Sequence, residues 1–235
     1  MGFIIFLIIV VVIGYFWLSQ DSAEVKRRAK GRSDEQKMSL RYFLNDGCLQ
    51  KKPSDEVYDA LIDSMIAEKK LTDPQTALDK LGIDESEVTE VKPLYLSGYV
   101  FGDKNSYSKC GKDDVWRSSK YQVSWIFCSD THVYIYQYTF NTDEDGKKVA
   151  TEEYFYKDIT NFSTSADTVE TPFWDKKQKK FVLKNVETSR FRITVPGDSM
   201  YCGMKQSDEA EAAIKGLKAK LREKKTAWIG SRIES

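Results

Sequence analysis

The spacing of apolar residues changes character four times along the chain. Residues 3–18 (FIIFLIIVVVIGYFWL) form an unbroken apolar run with no charge inside it. At ~1.5 Å per residue the run predicts a helix of roughly 24 Å, which local bilayer thinning brings to the ~30 Å hydrocarbon core, with Tyr15 and Trp17 in the interfacial belt. From residue 33 to 91 the period becomes helical. Leu40, Phe43 and Leu44 share one face of a first helix, which Asn45-Asp46-Gly47 stops. A second begins at Pro53-Ser54, carries Asp55 and Glu56 in its first turn, and lines up Val57, Leu61 and Met65, with Ile62 and Ile66 beside them. A third follows a Thr72–Gln75 capping box, turns Ala77, Leu78 and Leu81 inward and ends at Gly82.

After Pro93 the period falls to two. Residues 94–101 (LYLSGYVF), 121–128 (YQVSWIFC) and 131–140 (THVYIYQYTF) are rich in aromatic and β-branched side chains, as strands are. The third alternates openly, with His132, Tyr134, Tyr136, Tyr138 and Phe140 facing one way and Val133 and Ile135 the other. An Asp145-Gly146 hairpin signal leads into a strand at 149–156 and another at 159–163. A lysine-rich loop containing Pro172 follows, then a hairpin of 181–186 and 190–195 turning at Glu187-Thr188-Ser189. Ser207 opens a last helix with Ala210, Ala213, Ile214, Leu217 and Leu221 in its stripe and lysines crowding its C-terminal end. The expected fold class is α+β: an N-terminal transmembrane helix, a short helical segment, then a seven-stranded antiparallel barrel or sandwich capped by the C-terminal helix. The boundaries are an anchor at 1–20, a basic juxtamembrane linker at 21–32, a helical segment at 33–91, a β domain at 92–225 and a tail at 226–235.

Charge sets the expected topology. Lys26, Arg27, Arg28, Lys30 and Arg32 follow the apolar run, and positive flanks stay cytoplasmic. That predicts a single-pass cell-membrane protein with its N-terminus outside and the C-terminal domain in the cytoplasm, its basic flank held to anionic headgroups. Over the whole chain 36 basic residues balance 36 acidic ones. Nucleic-acid binders normally carry a basic excess, so no nucleic-acid partner is expected.

The β segment resembles the pleckstrin-homology (PH) superfold in its bacterial and GRAM-like forms. The resemblance is carried by YQVSWIFCSDTHVYIYQYTF, by EYFYKDITNFS, and by FVLKNVETSRFRITV ahead of the C-terminal helix, and covers residues 94–225. It implies seven antiparallel strands closed by one helix. Fold-level likeness carries no function with it.

Candidate chemistry is sparse. Cys48, Cys110, Cys128 and Cys202 are scattered, without a C-x-x-C pair, and one histidine serves the whole chain, so no zinc site is expected. Asn141, Asp143, Asp145, Gly146 and Glu152 have the spacing of a calcium loop, but strand-like flanks favour a solvated hairpin tip. Cys128 and His132 flank a turn as a nucleophile and base would, without a third group. No phosphate loop, dinucleotide fingerprint, zinc-protease motif or nucleophile elbow is present, so no catalytic residue, cofactor or metal is expected. Two surfaces remain. Lys176, Lys177, Lys179, Lys180 and Lys184 with Trp174 would suit an anionic phospholipid. Tyr134, Tyr136 and Tyr138 would anchor a protein partner. The expected function is a non-catalytic, membrane-anchored adaptor or scaffold that binds a protein, with anionic-lipid recognition as the alternative and an enzyme with an unrecognised site as the second.

Overall fold

A computed structural model of the chain describes residues 2–18, 20–45, 49–50, 52–89, 91–205 and 207–233. Cys48 and the Asp46-Gly47 part of the expected helix stop lie outside the described residues, as do the side chains of Tyr15 and Trp17.

The apolar run forms α1 (Gly2–Leu18), whose side chains from Ile4 to Val12 are exposed. Its 17 residues span only about 25 Å. Among the described residues no helix is long and apolar enough to cross a membrane. This corrects the expected transmembrane helix, and the single-pass location with an outer N-terminus and a cytoplasmic domain falls with it.

Residues 21–32 hold a short helix, α2 (Ala23–Arg28), capped by Ser22, with Val25 completely buried. Three further helices follow. α3 (Asp34–Leu44) opens on a capping box between Ser33 and Gln36, and α4 (Asp55–Glu68) on the Ser54 hydroxyl. α5 (Pro74–Leu81) starts one residue later than the sequence pattern suggests. The Asp73 carboxylate, not Thr72, takes the Gln75 N–H at 3.1 Å, and Pro74 sits at the first helical position, where a missing N–H costs nothing. Gly82, at φ +72°, ends it in the left-handed conformation that favours glycine.

Among the described residues nine strands form two sheets, which corrects the expected single seven-stranded barrel. The first sheet has the order β1 (Leu94–Tyr99), β4 (Lys120–Cys128), β5 (His132–Asn141), β6 (Lys147–Phe155), all antiparallel. The second has the order β3 (Trp116–Ser118), β2 (Ser108–Cys110), β7 (Asn161–Asp175), β8 (Lys180–Val195), β9 (Asp198–Gly203). β7 and β8 make one long hairpin where the sequence suggests a short strand at 159–163, a loop containing Pro172 and a separate short hairpin of 181–186 and 190–195. Glu187, Thr188 and Ser189 are paired with Thr168, Asp167 and Ala166 in its middle. At the corner between the sheets the end of β9 meets β1: the Lys205 N–H donates to the Ser97 carbonyl at 2.8 Å, and Gly203 N–H donates to Gln122 Oε1 at 2.8 Å.

The first sheet is covered on both faces. Val133, Ile135, Leu94, Leu96 and Ile126 point into a core shared with Phe162, Phe191 and Ile193 of the second sheet and with Ile214, Leu217 and Leu221 of α6 (Asp208–Ile233). Tyr121, Trp125, Phe127, Tyr134, Tyr136 and Phe140 point into a second core shared with α2 to α5. Polar bonds sew that layer down. The Trp125 indole donates to the Leu71 carbonyl at 2.8 Å, and the Tyr58 hydroxyl donates to the Ser118 carbonyl at 2.8 Å.

Candidate functional site

The tyrosine face predicted to bind a partner is occupied by the protein itself. Tyr134 and Tyr136 are buried in the helical core, and Tyr138 is packed against it. The strand alternation read from the sequence is the observed one, and the helical layer is what covers it.

Of the five basic residues after α1, Arg28 and Arg32 are half-buried against the folded body, while Lys26, Arg27 and Lys30 are exposed. The Lys26 ammonium donates to Gln20, and Arg27 and Arg28 both grip Glu24, at 2.7 and 2.5 Å. Their hydrogen bonds and charge hold the Glu24 carboxyl below its ordinary range, the Arg27 bond first. The Arg28 guanidinium also lies 5.4 and 5.2 Å from the Tyr107 and Phe181 rings, a cation–π contact. Arg32 pairs with Glu144 at 3.6 Å, and Lys30 is exposed.

Lys176, Lys177, Lys179, Lys180 and Lys184 are all exposed at or beside the β7–β8 turn. Asp175 shapes that turn by accepting the Lys177 and Gln178 backbone N–H groups at 2.8 and 3.1 Å. Trp174 does not share their exposure: it is buried against Phe181, ring centroids 5.1 Å apart. The apolar side chain that the hairpin does expose is Leu183, at 60%.

Cys128 and His132 are not brought together. Cys128 lies opposite Val133 and points into the core between the sheets, whereas His132 alternates to the other face, where it stacks on Phe155 and reaches Glu153 at 3.4 Å. The calcium-loop spacing is likewise pulled apart. Glu152 sits on β6 opposite Ile135, and the Asn141 amide donates to Glu144 at 2.8 Å. Among the described residues no group of three potential ligands converges on a metal position.

That turn holds something the pattern did not suggest. Asp143 is 5% exposed, and burial, with the neighbouring Glu144 charge second, pushes its carboxyl up to about 6. The unfolded chain ionises this group near 3.8, so folding takes up a proton between those values. Stability from this group therefore falls as pH rises through that window and is lowest above it. Asp143→Asn is expected to stabilise the protein by about 1–3 kcal/mol at pH 7.5 and by much less at pH 4, read from urea unfolding at the two pH values. Equal shifts at both values would refute the assignment.

An open groove lies along β1. Of about 1020 Å³, it runs between β1, the start of α5 and one face of α6, floored by Leu94, Leu96 and Trp125 and walled by Ala210, Ala213 and Gly216. β1 is an edge strand, and its ladder shows which backbone groups face the groove. The Val100 N–H donates to the Lys120 carbonyl, so the even residues of β1 bond β4 and the odd ones point away. Ser97 follows that rule, its carbonyl accepting from Lys205. Tyr95 follows it too, but its N–H and C=O have no hydrogen-bond partner among the described residues. Small residues on α6 keep the helix from filling the space beside it. Among the described residues the lining carries two cations, Lys92 and Lys205, and no acid. Sequence reading located β1 and the α6 stripe, but an edge is a property of strand order, which depends on pairings far apart in the chain. No family model, curated protein or solved structure matches this chain.

Proposed function

We propose that this chain is a non-catalytic binding module, an adaptor or scaffold whose protein partner docks in the groove beside β1. One observation carries the reading: an edge strand with an outward, unpaired backbone donor and acceptor at Tyr95, set in an apolar groove that the fold leaves open. Edge strands left bare are a hazard that proteins usually cover or charge, and strand edges are a common mode of peptide recognition.

The test is selection of displayed random peptides on the full chain, repeated on Ala213→Trp. Ala213 is exposed on α6 and lines the groove, so the indole fills the space without disturbing the core. Selected peptides are expected to bind the wild-type chain and to lose about tenfold or more on the variant, the size of a lost anchor contact, while the melting temperature stays put. A selection in which every peptide binds both proteins equally would overturn the reading.

A second reading, anionic-lipid binding, is favoured by the five exposed lysines and exposed Leu183 of the β7–β8 hairpin. Each basic residue near an anionic surface contributes ~1 kcal/mol. Co-sedimentation of the full chain with phosphatidylserine vesicles should then fall steeply with salt and be lost when Lys176, Lys177, Lys179 and Lys180 are changed together to Glu. Binding unaffected by that change would dismiss it.

A further inference from the structure

We infer that the segment this groove takes is an extended strand of the partner, apolar at alternate positions and carrying acidic residues toward its two ends. The inference rests on the reading of the groove as the partner site and adds what the partner must look like.

The conformation follows from the backbone. Tyr95 offers one N–H and one C=O into the groove, both left without a partner among the described residues. A helical segment consumes its own backbone groups and would bury those of Tyr95 unsatisfied. An extended segment lying a strand spacing away, ~4.8 Å, meets them. Its length is bounded at one end, because Lys205 already occupies the Ser97 carbonyl. The added strand therefore runs from that junction toward Lys92, along the open half of β1.

The side-chain pattern follows from what flanks that line. In a strand, successive side chains alternate in direction. On one side stand Ala213 and Gly216, whose small size leaves room for an aliphatic side chain; on the other stands Trp125, packed edge-on against Tyr95 at 5.0 Å. The open room lies on the Ala213–Gly216 side, so the side chains turned that way are the apolar set. The charge is set by the two ends. Lys92 is exposed, and the Lys205 ammonium lies 5.9 Å from the Tyr99 and Tyr121 ring centroids at the other end of the groove. Among the described residues no acid lines the groove between them. Residues 92 and 97 are about 16 Å apart along an extended chain, so complementary carboxylates fall some five residues apart.

The experiment uses the full chain and fluorescein-labelled hexapeptides read by anisotropy. Glu-Val-Thr-Val-Thr-Glu is expected to bind more tightly than Lys-Val-Thr-Val-Thr-Lys, and the preference is expected to invert in the double variant Lys92→Glu, Lys205→Glu. N-methylation gives the sharper result. In an added strand every second N–H faces β1, so methylating one alternate set should weaken binding about tenfold while methylating the other changes it little. Equal effects of the two sets would overturn the extended geometry, and indifference to the charge swap would overturn the acidic ends. If displayed peptides sensitive to Ala213→Trp are recovered but show neither dependence, this inference fails and the partner site stands. If none is sensitive to Ala213→Trp, both fail.

Discussion

Arg117→Ala is expected to cost about 3 kcal/mol of folding stability, near the low end of the range for breaking a buried ion pair. The Arg117 side chain is 4% exposed on β3, and its guanidinium is used on every side. Nε and Nη2 donate to the two Asp59 oxygens at 2.8 and 2.7 Å; Nη1 and Nη2 donate to the two Asp113 oxygens at 2.9 and 2.8 Å. The Tyr99 hydroxyl joins through Asp59 at 2.7 Å. One side chain thus ties α4, the β2–β3 hairpin and β1 together. Its removal leaves two carboxylates facing each other and a void between them. Asp59 and Asp113 are both partly exposed, so water takes up some of that charge, which places the estimate at the lower end. Arg117→Lys should recover only part, because an ammonium cannot make two bidentate contacts. Asp113 is held well below the ordinary carboxylate range, chiefly by its hydrogen bonds to Arg117. A depressed folded value contributes stability above the unfolded value near 3.8 and loses it as pH falls, so wild type and variant should converge in acid. Urea unfolding at pH 7 and pH 3 checks both statements; a difference under about 1 kcal/mol at pH 7 would show the pair to be dispensable.

Gly98→Ala should lower the melting temperature by about 5–10 °C, equivalent to some 2–4 kcal/mol in a chain of this size. A Cβ at Gly98 would lie 2.8 Å from the Met204 nitrogen, 3.0 Å from its carbonyl carbon and 3.1 Å from that of Gly203. All three are backbone atoms and cannot rotate aside. The end of β9 must lift off β1, which strains the Lys205–Ser97 hydrogen bond where the two sheets meet. Gly203→Ala is the matched control, since its Cβ would approach nothing closer than 3.6 Å. Differential scanning calorimetry of the two variants separates the close approach at Gly98 from a general intolerance of side chains at the corner. Equal shifts would remove the steric explanation.

Local chemistry was legible in the sequence. The helix faces at Leu40, Phe43 and Leu78, the Gly82 stop and the alternation from His132 to Phe140 stand in the structure, because each is decided by residues a few places apart; the α4 face is turned from the expected Val57–Leu61–Met65 stripe, burying Tyr58, Leu61, Ile62 and Ile66 and leaving Val57 exposed. The middle of the long hairpin was not legible. Glu187-Thr188-Ser189 reads as a turn, but pairing with Thr168, Asp167 and Ala166 makes it strand. β2 and β3 are three residues each and exist through partners elsewhere, which no local period announces. The span was misjudged on a margin of a few ångströms: apolar composition was right for a bilayer, and the helix is too short for one. The groove was invisible for a related reason. Tyr95 looks like any strand residue until β4 takes one side of β1 and the chain after β9 covers the other only as far as Ser97.

The double covering of the first sheet has a consequence for how this molecule can be cut, copied and rearranged. A layer of large aromatic side chains hangs from the outer face of that sheet, and their counterparts come from α2 to α5. Neither half has a finished surface without the other. A gene fragment beginning at residue 92 would encode a sheet with an oily, sticky back; one ending there would encode helices with no floor. The helices and the strands are therefore inherited as one piece: recombination breakpoints near Pro93 would be purged, and heating the protein should melt both layers in a single step.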